Sequence, residues 1–553
     1  MKKVDARERQ PVELQWPLDG KSNISLSARL KKSSAKPSPL MAYFVLASTS
    51  LFAIVYCWRF FHSGVEAQLS TPVLLLRLFQ LAVEIGASFY AFAAIFSSIA
   101  YLLIREEEDS PPELMVSPPA VGILSLCCDD MDMAALESLL QINYPGKVYL
   151  VIHDDSQSAF AQSEVNKVVE SLRTLTAFEI LLLRRPEKQG GKAGAVNYVL
   201  EQTGHLYSFF LLCDNDTTIL DPLCVQKALP AFTDPQVAVV QCRSVAFDTP
   251  EYCSLNRLLC RSIDVFHLFL TVCSRFGWRL FIGHNALLRT EAVKQVGGLT
   301  PGFFSDDLDL AIRLNLAGYA VSYAPNVLIG EKHPPSYDAF RRRTYKWSYG
   351  CMQMLKAHAW TILKSPQFCL AEKVSFFYFA GFYVGQTILL LYLALSFSIA
   401  PFYLQQGWSN VAQNLVIGTI LIVLIYMPTC VYFLKNRVLG KSLGSIAMCG
   451  LVYGTTDFAC VAGVWDCLRG KKRRWIPTNA TDQEANSLGL LLEAGLGLTL
   501  LCVPLFVFPP LLYLPSAYIF VGKFLFCPAI SLLYQDGNET AATVLATERE
   551  EVA

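Results

Sequence analysis

No excess of either charge marks this sequence: Lys and Arg total 46 of 553 residues, and Asp and Glu also total 46. A zero formal charge gives no basis for a nucleic-acid partner, whose phosphates demand a basic surplus. Charged residues are scarce altogether at 17% while hydrophobic ones reach 53%, which excludes a disordered chain and argues against a purely soluble one. Paired metal-binding cysteines are missing too. The 17 cysteines include no C-x-x-C and no regular disulfide spacing, so they read as small buried hydrophobes in a reducing compartment. Of only seven histidines, His284 has no second His or Cys at ligand spacing and reads as a hydrogen-bonding residue.

What the chain does have is long apolar runs. A spanning helix needs about twenty apolar residues, because hydrocarbon cannot satisfy exposed backbone groups. Leu40 to Trp58 and Ile85 to Ile104 carry no charge, and only Arg59, Glu66, Arg77 and Glu84 stand between them, so they predict a hairpin of two spans. The first run follows a polar segment and reads as a retained anchor, not a cleaved signal. Further runs lie at Val374 to Leu404, Val411 to Leu434, Ala485 to Phe508 and Leu511 to Tyr534, the last two parted by Pro509-Pro510, giving six spans in all. Glu84 and Glu493 fall near span ends and are expected at the interface.

Basic residues from Lys2 to Lys36 hold the N-terminal segment 1–39 in the cytoplasm, and the spans of 40–104 return the chain there at Arg105. The expected order is then a cytosolic domain at 105–367, two spans in 368–434, a cytosolic interface helix and loop at 435–484, two spans in 485–534 and a cytosolic tail at 535–553. Ser442 to Trp465 is apolar but precedes Arg469, Lys471, Lys472, Arg473 and Arg474, which favours an amphipathic helix on the cytoplasmic surface over a seventh span. The expectation is an integral protein of the plasma (inner) membrane, with both termini and the soluble domain cytoplasmic.

Within 105–367, strand-like and helical runs alternate: Val121 to Cys127, Met133 to Ile142, Val148 to Ile152, Ala161 to Leu172, Phe178 to Leu183. Alternation of this kind means βαβ units, a mostly parallel sheet and ligands beyond the carboxyl ends of its strands. Polar groups gather at those ends: Asp129-Asp130, then His153-Asp154-Asp155, then Asp214-Asn215-Asp216. An Asp-rich turn after a strand is common whatever the function. Here it is joined by Lys188-Gln189-Gly190-Gly191-Lys192, a basic glycine-rich turn opening a helical run, suited to anionic oxygens. Carboxylates beside such a turn match a diphosphate bridged by Mg²⁺ or Mn²⁺. Gly283-His284-Asn285 follows, then Ser305-Asp306-Asp307 at a helix start, where a carboxylate can both cap the helix and act as general base. Beyond it Phe340, Trp347, Cys351, Met354, Leu355 and His358 share one helix face beside Arg341, Arg342, Arg343 and Lys346, which predicts an amphipathic helix at the membrane surface.

In this ordered set the chain resembles the membrane-embedded, processive family-2 glycosyltransferases, which include cellulose, chitin and hyaluronan synthases. The resemblance rests on Asp154-Asp155, Gly191-Lys192-Ala193-Gly194-Ala195-Val196-Asn197, Asp214-x-Asp216, Gly283-His284-Asn285, Ser305-Asp306-Asp307 and Trp347 between flanking apolar runs. It implies an α/β catalytic domain of GT-A type inserted in a helical membrane region. It further implies that Asp154 or Asp155 contacts the nucleotide, that Lys192 approaches the diphosphate with Arg343 or Lys346 in support, and that Asp216 with Asp214 holds the divalent cation. Asp307 takes the place of the general base, with Asp306 beside it. Trp347, with Gly283, His284 and Asn285 nearby, belongs to the acceptor side, and Trp475-Ile476-Pro477-Thr478 resembles a gating segment.

The family's Thr-Glu-Asp is Ser305-Asp306-Asp307 here, and its Gln-x-x-Arg-Trp is Arg343-Thr344-Tyr345-Lys346-Trp347. Lysine keeps a charge for phosphate but lacks the bidentate fork. The expected activity is inverting transfer from a nucleotide-sugar, UDP-glucose or similar, to a growing β-linked glycan that passes through the protein's own helices. The alternatives are transfer of one sugar to a membrane lipid, and a transporter or scaffold without catalysis. Accessory export subunits or a homo-oligomer are compatible with the resemblance.

Overall fold

The computed structural model describes residues 36–62, 70–105, 117–246, 264–334, 336–388, 423–436 and 455–471, with short pieces among 257–260, 417–421, 444–453 and 493–502. The N-terminal segment to residue 35, the span expected at 511–534, most of that at 485–508, parts of those at 374–404 and 411–434, the 475–478 segment and the tail lie outside the described residues.

The soluble part is built on one eight-stranded sheet. In chain order the strands are β1 (Val121–Cys127), β2 (Val148–Asp154), β3 (Glu179–Leu183), β4 (Phe209–Cys213), β5 (Thr218–Ile219), β6 (Val237–Ala246), β7 (Ala286–Arg289) and β8 (Ala320–Glu331). Their spatial order is β3-β2-β1-β4-β7-β6-β8-β5. The β3-β2-β1-β4 half is parallel throughout, as the alternating pattern predicts. The other half is mixed: β7 runs antiparallel to both neighbours, β6 and β8 are parallel, and β5 closes the edge antiparallel to β8.

The central strands β1, β2 and β4 bury both faces, and successive residues serve opposite layers. Leu124 and Val151 point into a core shared with Val196, Val199 and Leu200 of the Gly191–Thr203 helix and with Leu310 and Leu314 of the Asp306–Leu316 helix. Ile123 and Leu150 point the other way, onto Leu136 and Leu139 and onto Val165 and Leu172 of the Ala159–Leu175 helix. Two-sided burial explains why these strands read as unbroken apolar runs.

Register decides where the polar ends go. Cys127 pairs with Asp154 and Ser125 with Cys213, so β1, β2 and β4 finish together. Because β7 is antiparallel, with Ala286 opposite Leu212, its preceding residues Gly283-His284-Asn285 arrive at the same edge. Thr218 pairs with Gly330, which brings the end of β8 and Glu331 there as well.

Among the described residues two helices are long and apolar enough to cross a membrane, Leu40–His62 and Thr71–Leu103. The second starts well before the expected Ile85. Arg77 and Glu84, expected as a charged interruption and an interface residue, lie inside it at 2% and 1% exposure, with Nη1 3.2 Å from Oε2 and a bond of 3.0 Å to Gln80. The spacing of seven puts the two charges on one helix face, and a paired charge does not have to end an apolar helix. Glu493 is likewise buried, its carboxylate accepting from Arg341, including a 2.8 Å bond from Nη1.

The helix expected on the membrane surface is Tyr337–Lys364, capped by the Ser336 hydroxyl accepting from the Ala339 N–H. Its first part packs closely against two neighbours, while Trp360 and Leu363 near its end stay exposed. A Cβ at Gly350 would strike the Ser305 side chain and, at 2.9 Å, its amide nitrogen. On the other flank, a Cβ at Gly463 of the Asp457–Leu468 helix would strike Ser348 and, at 2.7 Å, the Tyr345 carbonyl. That second helix has only twelve residues and begins after a turn at Thr455-Thr456, so the apolar run expected to start at Ser442 is broken there.

Close approach at Gly350 ties this packing to the start of the Asp306–Leu316 helix. Gly350→Val should overpack the contact, destabilise the protein by about 1–3 kcal/mol and reduce turnover, although it removes no functional group. Thermal unfolding beside a transfer assay checks this; a midpoint equal to that of the unaltered protein would mean the contact is slack.

Candidate active site

The sheet edge holds two groups of carboxylates, and they are used differently. The first group follows β2. The Asp154 side chain is fully buried and accepts from Arg184 Nε at 2.7 Å and from the Ser156 amide at 2.9 Å. Burial works against its charge, but the Ser156 and Arg184 bonds outweigh it and hold the carboxyl below its ordinary range. Asp155 receives Arg185 through two nitrogens, Nε at 3.0 Å and Nη2 at 2.5 Å. The same guanidinium donates to the carbonyls of Gln189 at 2.5 Å and Gly191 at 3.1 Å. Asp155 thus anchors the glycine-rich turn through Arg185, and Lys188 ties the turn's other side to the Asp155 carbonyl at 2.8 Å. Gly190 and Gly191 both take positive φ, which lets the turn fold back over this guanidinium.

The second group surrounds Lys192. Its ammonium donates to the Asp214 carboxylate and, at 3.0 Å, to the Gly283 carbonyl. Burial disfavours this ammonium, yet Asp214, Asp306 and Asp307 more than compensate and raise its pKa. Asp214 is part-buried, which works against its charge, but Lys192, His284 and Lys346 hold its carboxyl below the ordinary range. His284 bridges Glu331, bonded to Nε2, and Asp214, whose Oδ2 lies 3.7 Å from Nδ1. Burial opposes its protonation, but the two carboxylates prevail and lift it to about 9, so the ring is cationic at neutral pH. Asp216 accepts the Lys332 amide at 3.2 Å, and burial together with the charges of Asp214 and Glu331 pushes it up to about 6.

Asp306 and Asp307 open their helix beside this cluster. Burial raises both above the ordinary carboxylate range. For Asp306 Lys192 pulls the other way, and the charges of Asp307 and Asp214 add to the rise; for Asp307 the Leu308 amide and Lys192 oppose it. Asp307 lies directly over Gly283, where a Cβ would sit 3.0 Å from its Oδ2 and φ is +89°. The structure therefore brings Lys192, Asp214, Asp216, Gly283, His284, Asp306 and Asp307 into one cleft.

Three expected site residues are placed otherwise. Asn285, at φ 51°, is wholly buried; its side chain accepts from Thr217 at 2.9 Å and donates to Ser244 at 3.0 Å, so it pins strands together behind the cleft. Arg343 stacks 4.8 Å from the Trp347 ring and 5.3 Å from that of Phe340, with Nη2 3.5 Å from His333. It sets the indole, whose other neighbour is Phe266 at 5.7 Å, and none of the cleft carboxylates is among its hydrogen-bond partners within the described residues. Lys346 is the cation of this helix that the Asp214 field reaches; burial and Arg342 lower it to about 8 against that field.

Sequence reading missed Arg184, Arg185, Glu331 and Lys332. A signal existed for the first two: two basic residues directly after a β3 that pairs with β2 must reach the acidic end of β2.

A divalent cation fits here. Asp214 and Asp216 offer hard oxygen donors, and the resistance of Asp216 to ionisation marks a negative potential that a cation relieves. Among the described residues no group of three or more His, Cys, Asp or Glu forms a closed metal cage. That agrees with a cation carried by one or two carboxylates and completed by substrate phosphates.

Residues 209–435 match the family described as glycosyl transferase family group 2. A probable glucomannan 4-beta-mannosyltransferase 2 of Oryza sativa subsp. japonica is 25% identical over 251 residues, 44% of this chain and 42% of the relative. Glucomannan 4-beta-mannosyltransferase 7 of Arabidopsis thaliana is 24% identical over 274 residues, 48% and 47% of the two chains. The chain thus spans less than half the length of these curated relatives. Among solved structures, the mannosyltransferase PcManGT from Pyrobaculum calidifontis, in complex with GDP-Man and Mn²⁺, superposes with a TM-score of 0.50 at 16% identity, over 72% of this chain and 99% of that one. The last likeness concerns the fold, which is of GT-A type. Sheet, matched segment and relatives point the same way: over residues 209–435 this chain is similar to the family-2 glycosyltransferases, on a fold of GT-A type.

Proposed function

We propose that the protein is an inverting polysaccharide synthase that moves a hexose from a nucleoside diphosphate sugar to the end of a β-linked glycan and passes the product through its membrane helices. The observation that supports this reading is a part-buried carboxylate, Asp307, in one cleft with Lys192 and Asp214. The relatives are named mannosyltransferases, so GDP-mannose becomes the first donor to test, ahead of the UDP-glucose expected from sequence.

The acceptor hydroxyl gives its proton to the Asp307 carboxylate while its oxygen forms a bond to the anomeric carbon. The bond from that carbon to the diphosphate breaks on the opposite face, and the leaving group keeps the electron pair. One displacement inverts the centre, so an α-linked donor yields a β-linked product. Lys192 turns from Asp214 towards the departing phosphate and balances its growing charge, with Lys346 nearby. A Mg²⁺ or Mn²⁺ ion on Asp214 and Asp216, when bound, supplies further charge neutralisation for the diphosphate. Trp347, steadied by Arg343, offers a flat apolar face to the acceptor sugar.

Purified protein in detergent, given GDP-mannose, GDP-glucose or UDP-glucose with Mg²⁺ or Mn²⁺, should form a high-mass β-linked glycan from one donor class. A product of one sugar on lipid would overturn the polymer reading, and absence of any transfer would overturn the whole. Asp307→Asn should lower turnover by about 10²–10⁴-fold while donor affinity stays within about twofold, since Asn keeps the shape and loses the base. Raised carboxyl pKa values also set a pH response. The base works only when ionised, so turnover should fall as pH drops through a point above the ordinary carboxylate value of about 4. An acid limb at or below that value would remove Asp307 from the role.

A further inference from the structure

Away from the cleft, a cavity of about 90 Å³ opens where the second long apolar helix meets the catalytic domain. Its wall comes from the C-terminal end of the Thr71–Leu103 helix, the Phe266–Phe276 helix, β6, β8 and Lys435 of the Met427–Asn436 helix. Four cationic residues, Arg105, Arg243, Arg275 and Lys435, line it, and among the described residues no Asp or Glu does. Arg243 is neutralised from behind by Asp264, with Nη2 at 2.6 Å. Lys435 donates to the Tyr101 carbonyl at 2.9 Å, which uses one of its three protons well. Arg105 and Arg275 are exposed at the rim.

His267 belongs to the same wall and is 4% exposed. Its Nδ1 lies 2.7 Å from the Tyr323 hydroxyl, while its Nε2 has no hydrogen-bond partner among the described residues. Burial, Arg243 and Lys435 depress the ring to about 3, so it is neutral. The Thr271 hydroxyl also faces Nδ1, at 3.4 Å. In the tautomer in which these hydroxyls donate to Nδ1, Nε2 carries the hydrogen and is a buried donor that a bound oxyanion would satisfy. The volume suits a few waters or one tetrahedral oxyanion.

We propose that this cavity is a binding site for a phosphate-type oxyanion, separate from the donor site, and that the phosphate of an anionic lipid headgroup or a free phosphate fills it. Attribution to lipid rests on reading Thr71–Leu103 as a membrane span; the anion site does not depend on that reading. Basic pockets at the cytoplasmic ends of spanning helices are placed where headgroup phosphates lie.

The test uses the full chain in neutral detergent, with thermal unfolding as the readout so that it is independent of transfer. Phosphatidylglycerol added to the micelles should raise the midpoint by about 2–4 °C relative to phosphatidylcholine. The double variant Arg105→Gln/Arg275→Gln, whose residues face solvent, should lose this rise and keep its basal transfer rate. If inorganic phosphate at matched ionic strength protects equally, and the double variant abolishes that too, the site stands with a soluble oxyanion as its occupant. Protection that survives unchanged in the double variant, or protection by neither probe, overturns the proposal.

Discussion

Like charges forced together at one sheet edge are the constraint on which the rest of this structure turns. Asp214, Asp216, Asp306, Asp307 and Glu331 crowd a part-buried cleft in which, among the described residues, Lys192, His284 and the more distant Lys346 oppose them. Such a cluster is held in place by the fold around it and gains little from itself. In the proposed reaction its value is chemical, because a cleft with surplus negative charge beside one ammonium suits a cation and a diphosphate together. The carboxyls that resist ionisation and the lysine that holds its proton tightly are two sides of the same field.

Much of this arrangement was legible before any coordinates. Parallel strands finish on one edge, so the acidic residues after β1, β2 and β4 had to be neighbours, and the alternating pattern was enough to say so. The meeting of Gly283 and Asp307 needed more. It follows from β7 running antiparallel, and no local pattern distinguishes an antiparallel insertion from another parallel strand. The different fates of Asp154 and Asp155 were also hidden, because they depend on Arg184 and Arg185 arriving from β3. Sequence similarity of motif assigns a position, while the guanidinium opposite decides whether its carboxylate faces a ligand or the protein.

Charges within apolar helices misled for a related reason. Reading a sequence window by window treats Arg77 and Glu84 as interruptions, whereas on a helix they stand two turns apart and cancel. The same holds for Glu493, whose partner Arg341 lies far away in the chain. Residues without side chains were silent in another way: Gly350 and Gly463 carry no pattern of their own, yet they let the Tyr337–Lys364 helix pack closely between two neighbours.

Gly283 shows how far such an omission reaches. A methyl group at this residue would press on the Asp307 carboxylate at 3.0 Å, and the carbonyl of the same residue steadies the Lys192 ammonium. In the proposed mechanism, bond making and bond breaking are thus spaced by a single backbone unit with nothing attached. A larger residue there would crowd the proposed proton acceptor and disturb the electrophilic side in one stroke, so under that mechanism the two halves of the reaction cannot be adjusted independently at that point of the chain.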